Sequence, residues 1–193
     1  MRRGRLVCIT ALVALLGLGA APAHGHAQGP ALAPCADVPA ELNARCGSIT
    51  VPLDRANPGL GTTQIAFAVL ARRDASRPSL GTLIGPHSGG PMIDAAAQFV
   101  GTFGALLERR ELLIIDSRGG GRSSPVLCDS LRSAIFGRLT PPERMTSAIG
   151  ACGRELGPRV GAYGVAAIAD DIDAVRAALG VERLDLWGNS YAS

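Results

Sequence analysis

The 193-residue sequence has no lysine; all 19 basic residues are arginine. We read this as the codon usage of a GC-rich genome, not as chemistry. Without lysine, and without a G-K-[ST] signature, a nucleotide-binding P-loop is not expected. Histidine is scarce as well. Of three, His24 and His26 lie near the amino terminus, and His87 stands alone further on. No cysteine pair has C-x₂₋₄-C spacing and no histidine lies beside one, which argues against zinc. The glycine- and arginine-rich run Arg118-Gly119-Gly120-Gly121-Arg122 is single, short and without aromatics, so a nucleic-acid surface is not expected either. The apolar run from Leu6 to Gly19 falls short of the roughly 20 residues that span a bilayer.

What is present suits one globular domain with a real core: 47% apolar residues, with 25 glycines and 13 prolines to supply turns. Arg2, Arg3 and Arg5 ahead of the apolar run, and small residues after it, read as a secretory signal cleaved after Ala23 or Ala27. We therefore expect a signal at residues 1–27, an extended segment at 28–45 and ordered structure from Cys46. We also expect a secreted or periplasmic protein without a stable membrane anchor. Removing those three arginines leaves 16 basic against 16 acidic residues, so the formal charge of +3 carries no message about partners. Cys8 leaves with the signal. Cys35, Cys46, Cys128 and Cys152 remain, an even number that suits disulfides outside the cytosol. Three connectivities are open. Nearest-neighbour pairing would close short loops, each stabilising by about 3 kcal/mol.

Ile49, Val51 and Leu53 alternate, as do Ile65, Phe67, Val69 and Ala71, predicting two strands joined by the turn around Asn57-Pro58-Gly59. Joined without a helix, they form an antiparallel edge. Gly81 to Gly85 and Leu112 to Ile115 are continuous apolar runs, the pattern of strands buried on both faces. Between them, Ile93, Ala96, Ala97, Val100, Phe103 and Leu107 recur at helical spacing, with Arg109 and Arg110 at the expected carboxyl end. A long connection holds the second cysteine pair and Pro141-Pro142. Ile168, Ile172, Val175 and Leu179 then mark another helix face, capped by Gly180, before a last strand from Leu184 to Trp187. Strands alternating with helices imply an α/β fold with a mostly parallel sheet and an antiparallel amino-terminal edge.

Three motifs carry chemistry. Gly188-Asn189-Ser190-Tyr191-Ala192 follows the last strand and has the form of a nucleophile elbow, with Ala192 for the second glycine. Ser190 would be the nucleophile of acyl transfer, and would need a base and an orienting carboxylate. Ser88-Gly89-Gly90-Pro91 follows a strand and opens a helix, where bare backbone N–H groups can face a developing oxyanion. Asp116 ends a buried strand with Arg118 as its expected partner. The blander readings are a shaping role for His87, a solvated helical turn for Asp170, Asp171 and Asp173, and core packing for Trp187. No metal and no cofactor is expected.

Together these residues resemble the secreted branch of the α/β-hydrolase superfamily that contains tripeptidyl aminopeptidases and proline iminopeptidases. The carriers are Cys46-Gly47 before Val51-Pro52-Leu53-Asp54, then Gly89-Gly90-Pro91. Next come Asp116-x-Arg118-Gly119-x-Gly121-x-Ser123-x-Pro125-Val126-x-Cys128, Asp171-x-Asp173-x-Val175-Arg176 and Gly188-x-Ser190-Tyr191. The resemblance runs from Cys35 to the end of the sequence and corresponds to the first half or less of such an enzyme. It implies Ser190 as the acylated nucleophile, the N–H groups of Gly90 and Tyr191 as the oxyanion hole, and a peptide or small ester as substrate. The family order of Ser, then Asp, then His puts the other two triad members after Ser193. These residues alone are then expected to be inactive, as a truncated product would be. Met92 stands where the family usually has the last glycine of G-G-P-G.

Overall fold

The computed structural model describes residues 29–85, 90–135 and 141–188. Six strands form one sheet: β1 (Ala33–Pro34), β2 (Arg45–Pro52), β3 (Thr62–Leu70), β4 (Thr82–Ile84), β5 (Glu111–Ile115) and β6 (Leu184–Leu186). Their spatial order is β1-β2-β3-β5-β4-β6. The pairings β1–β2, β2–β3 and β3–β5 are antiparallel; β4 pairs parallel with both β5 and β6. Four strands, β2, β5, β4 and β6, therefore point one way, giving a mixed, mostly parallel sheet. The helices are α1 (Ala96–Phe103), α2 (Asp129–Ile135), α3 (Pro142–Leu156) and α4 (Val165–Ala178).

Side chains on a strand alternate between faces. Here that sorts the continuous apolar runs into two cores. Ala66, Ala68, Leu70, Leu83, Leu112 and Ile114 join Ile93, Ala96, Phe99 and Phe103 on the α1 face. Ile65, Phe67, Ile84, Leu113 and Ile115 join Val175 of α4 on the other. Both faces are covered, so β5 has no polar positions from Leu112 to Ile115. Truncating a side chain as buried as Phe67 would cost about 3–5 kcal/mol.

Several expectations need correction. Order begins before Cys46, because Ala33–Pro34 adds a strand to β2 and Cys35 N–H continues the pairing to the Ala44 carbonyl. The last strand is consequently the sixth, not the fifth. The helix predicted from Ile93 to Leu107 is three pieces. A 3₁₀ turn at Ile93–Ala95 leads into α1, and a second 3₁₀ segment starts at Gly104, whose φ of 44° breaks the α-helix. Arg109 serves the loop before β4 instead, and Arg110 serves β6, donating to the Pro78 carbonyl and to Asp185 respectively. The long connection folds as α2 and α3, which the proline pair obscured in the sequence. The cysteines pair as nearest neighbours, Cys35–Cys46 and Cys128–Cys152, closing separations of 11 and 24 residues.

Candidate active site

β4 is flanked in the sheet by β5 on one side and β6 on the other. The chain leaves β4 for β5 through α1 on one face, and reaches β6 after α4 on the opposite face. Where connections part in this way, a crevice opens at the carboxyl ends of the strands, and ligands bind there in open α/β sheets. Ile84 is in register with Leu186. Gly85 and Trp187 therefore leave the sheet side by side, one strand spacing (about 4.8 Å) apart. Gly85 N–H still pairs with the Leu113 carbonyl at 2.8 Å, so the ladder runs up to the loop that carries Gly90 and Pro91. Trp187 is about one-third exposed, not wholly in the core, and meets the Phe103 ring edge-on at 5.4 Å. Ser190, Tyr191, Gly89, His87 and Ser88 lie outside the described residues.

Asp116 extends β5 into the same end and is fully buried. Its expected pairing with Arg118 does not occur. Oδ1 accepts from Ile93 N–H at 3.0 Å and Oδ2 from Arg122 N–H at 2.7 Å. Arg118, buried too, turns the other way. It donates Nε and Nη2 to the two oxygens of Asp171 at 2.6 and 2.7 Å, and Nη1 to the carbonyls of Leu53 and Ala162. A planar guanidinium suits this two-pronged contact, and the pair satisfies two charges that would be costly to bury alone. Asp171 also accepts from Arg55 at 2.9 Å. It is thus not part of a solvated turn: only 2% exposed, it sits on α4 three residues from Ile168 and four from Val175, the inward face. That spacing was the signal that could have found it.

Ser123 was also missed. Its hydroxyl donates to the Asp116 carbonyl at 2.7 Å and accepts from Ala66 N–H at 2.8 Å; Ser124 Oγ accepts from Gln64 N–H. β3 pairs with β5 only from Phe67 onward, so these adjacent hydroxyls satisfy β3 where the partner strand is missing. Gly121 has φ of 49°, and a Cβ there would run into the Asp116 carboxylate. Gly47 lets Leu32 and Phe67 close over β2. Gly121 and Ser123 of the Asp116–Ser123 motif are thus fixed by contact. Among the described residues no cluster of three or more His, Cys, Asp or Glu could hold a metal, and no helix is long and apolar enough to cross a membrane.

The sequence profile of the α/β-hydrolase fold family matches residues 87–193. The chain belongs to the α/β-hydrolase family. This α/β-hydrolase chain is 30% identical over 168 residues to the serine protease Hip1 of Mycobacterium bovis and of Mycobacterium tuberculosis. The match covers 78% of the chain but 32% of those proteins, so the chain spans about a third of its relatives' length. A looser likeness, with a TM-score of 0.36 and 16% identity, covers 78% of the chain and 53% of a cold-adapted esterase from an Arctic intertidal metagenomic library.

Proposed function

We propose that this α/β-hydrolase chain is the nucleophile-bearing part of an exported serine peptidase that cleaves peptides near their amino terminus. The observation that carries the reading is the juxtaposition at the switch point. Gly85 after β4 and Trp187 after β6 leave the sheet side by side, and in sequence the first leads to Gly90 and the second to Gly188 and Ser190. Ser190 Oγ would attack the scissile carbonyl as its proton passes to a histidine. The C–O double bond would open to an oxyanion facing the N–H groups of Gly90 and Tyr191. Collapse would expel the protonated amine and leave an acyl-serine, which water would then hydrolyse. Losing one oxyanion donor would cost about 2.7–4 kcal/mol of transition-state stabilisation. No histidine follows Ser190 among the 193 residues, so the base and its carboxylate would come from the length of the relatives that this chain does not cover. Residues 28–193 alone would then be inactive. Residues 1–27 would be the export signal and 46–193 the amino-terminal part of the hydrolase domain. Two disulfides suit an oxidising compartment.

The second reading is an esterase on the same fold, since the same acyl-enzyme chemistry acts on esters. The full-length polypeptide, tested on aminoacyl and tripeptidyl anilides beside short-chain esters, separates them. Peptide turnover that disappears in Ser190→Ala supports the peptidase; turnover of esters only supports the esterase. Undiminished hydrolysis in Ser190→Ala overturns both.

A further inference from the structure

The loop that carries Gly90 enters the site on Gly90 and Pro91, neither of which has a side chain that can hydrogen-bond. The Gly90 carbonyl accepts from Met92 N–H at 3.0 Å, a contact internal to the turn. An oxyanion donor has to be held still before charge develops, and an anchor from a neighbouring element does this. We infer that Asp116 is its positioning residue. The carboxylate, through Ile93 N–H, fixes the loop that presents Gly90. This rests on the reading of Gly90 as an oxyanion donor.

Asp116 is itself held from three directions. Its N–H donates to the Ala66 carbonyl at 3.1 Å, and its carbonyl accepts from Ser123 Oγ at 2.7 Å. Its side chain spans from Arg122 N–H in its own turn to Ile93 N–H in the neighbouring loop. Two arginines lie within six residues, yet neither guanidinium reaches it. Arg118 pairs with Asp171, and Arg122 with Asp94 at 2.7 Å and Asp37 at 3.5 Å. A fully buried carboxylate that meets backbone N–H groups while cations close by turn away serves a backbone-holding role. Both oxygens are engaged, which is the reason for a carboxylate: an amide offers only one acceptor. Gly121 gives the second oxygen its room. Arg118 and Asp171 tie this turn to α4, so the post on which the loop hangs is braced from the opposite face of the sheet.

The test uses the full-length polypeptide with Asp116→Ala and Asp116→Asn. A displacement of about 1 Å at a reacting group can cost about 100-fold in rate. We expect Asp116→Ala to lower kcat about 100-fold with KM changed less than about threefold, and Asp116→Asn to recover part of the loss, because transition-state contacts alone are weakened. Hydrogen exchange supplies a readout that does not depend on activity. The Ile93 amide should be strongly protected in the wild type and should exchange at least about tenfold faster in Asp116→Asn, with β3 and β5 amides unchanged. An unprotected Ile93 amide in the wild type overturns the inference even if neither variant folds. So does an unchanged kcat, or a loss that follows KM or global unfolding. If no fluorophosphonate labels the wild type, the nucleophile reading fails and the catalytic role of Asp116 falls with it. Intact labelling with an unprotected Ile93 defeats this inference alone.

Discussion

The two ends of the sheet are both charged, but they handle charge in opposite ways. At the carboxyl end, Asp116, Arg118, Ser123 and Asp171 are buried and bonded to one another, to backbone or to both. At the amino end, where β4, β5 and β6 begin, the pairs are more open: Arg72–Glu111 is half-buried, and Arg110–Asp185, Arg77–Asp74 and Arg73–Glu108 lie nearer the surface. Arg72 Nε is the one buried side-chain nitrogen without a partner among the described residues. Ion pairs exist at both ends, so their number does not separate the ends; desolvation does. Buried groups are costly when orphaned and hold one geometry when satisfied, whereas exposed pairs contribute about 0–1 kcal/mol and leave the chain adaptable. The rigid end is the one on which the candidate site stands.

Breaking the buried end should have the larger effect. Arg118→Ala leaves buried Asp171 with Arg55 as its remaining cation and frees the Leu53 and Ala162 carbonyls; urea denaturation should show a loss of about 3–5 kcal/mol. A loss under about 1 kcal/mol would mean that water or Arg55 replaces the guanidinium, and the contrast between the ends would weaken. Ser123→Ala removes the acceptor for Ala66 N–H and should cost about 1–3 kcal/mol in the same assay.

The smallest effect belongs to the exposed end, and pH reveals it. Burial raises the Glu111 carboxyl, but hydrogen bonds from Ser79 and Arg72 outweigh it, leaving the group below its ordinary 4.5. The Ser76 hydroxyl and Arg77 hold Asp74 at about 2, against an ordinary 3.8. Both groups are depressed in the folded state, so each stabilises fully above its ordinary value. The contribution fades as pH falls through the folded value. Denaturation of Glu111→Gln beside the wild type should show a difference within about 1 kcal/mol at pH 6 that shrinks toward pH 2. A difference that grows on acidification would reverse the sign of the account.

The same contrast explains how much was legible in the sequence. The apolar runs at Gly81–Gly85 and Leu112–Ile115 gave away two-sided burial, and Ile168, Val175 and Gly180 gave away α4 and its end. These are local signals of periodicity and turn chemistry. The partner of Arg118 is not local. Asp116 is two residues away and Asp171 is 53, and only the packing of α4 on the sheet decides between them. Likewise, nothing near Ser123 in sequence announces an unpaired stretch of β3. Ala33–Pro34 was missed because two residues carry no period, and α2 because proline and glycine nearby read as loop. The strand that leads to Gly90 and the strand that leads to Gly188 were both legible as short apolar runs, but their adjacency in the sheet was not.

The central claim is that the segment after β6 carries the nucleophile. Fluorophosphonate labelling of the full-length polypeptide, with the modified peptide identified by mass spectrometry, tests it most directly. We predict one phosphonylated residue, Ser190, and no labelling in Ser190→Ala. Labelling of another residue, or equal labelling of the variant, would contradict the account.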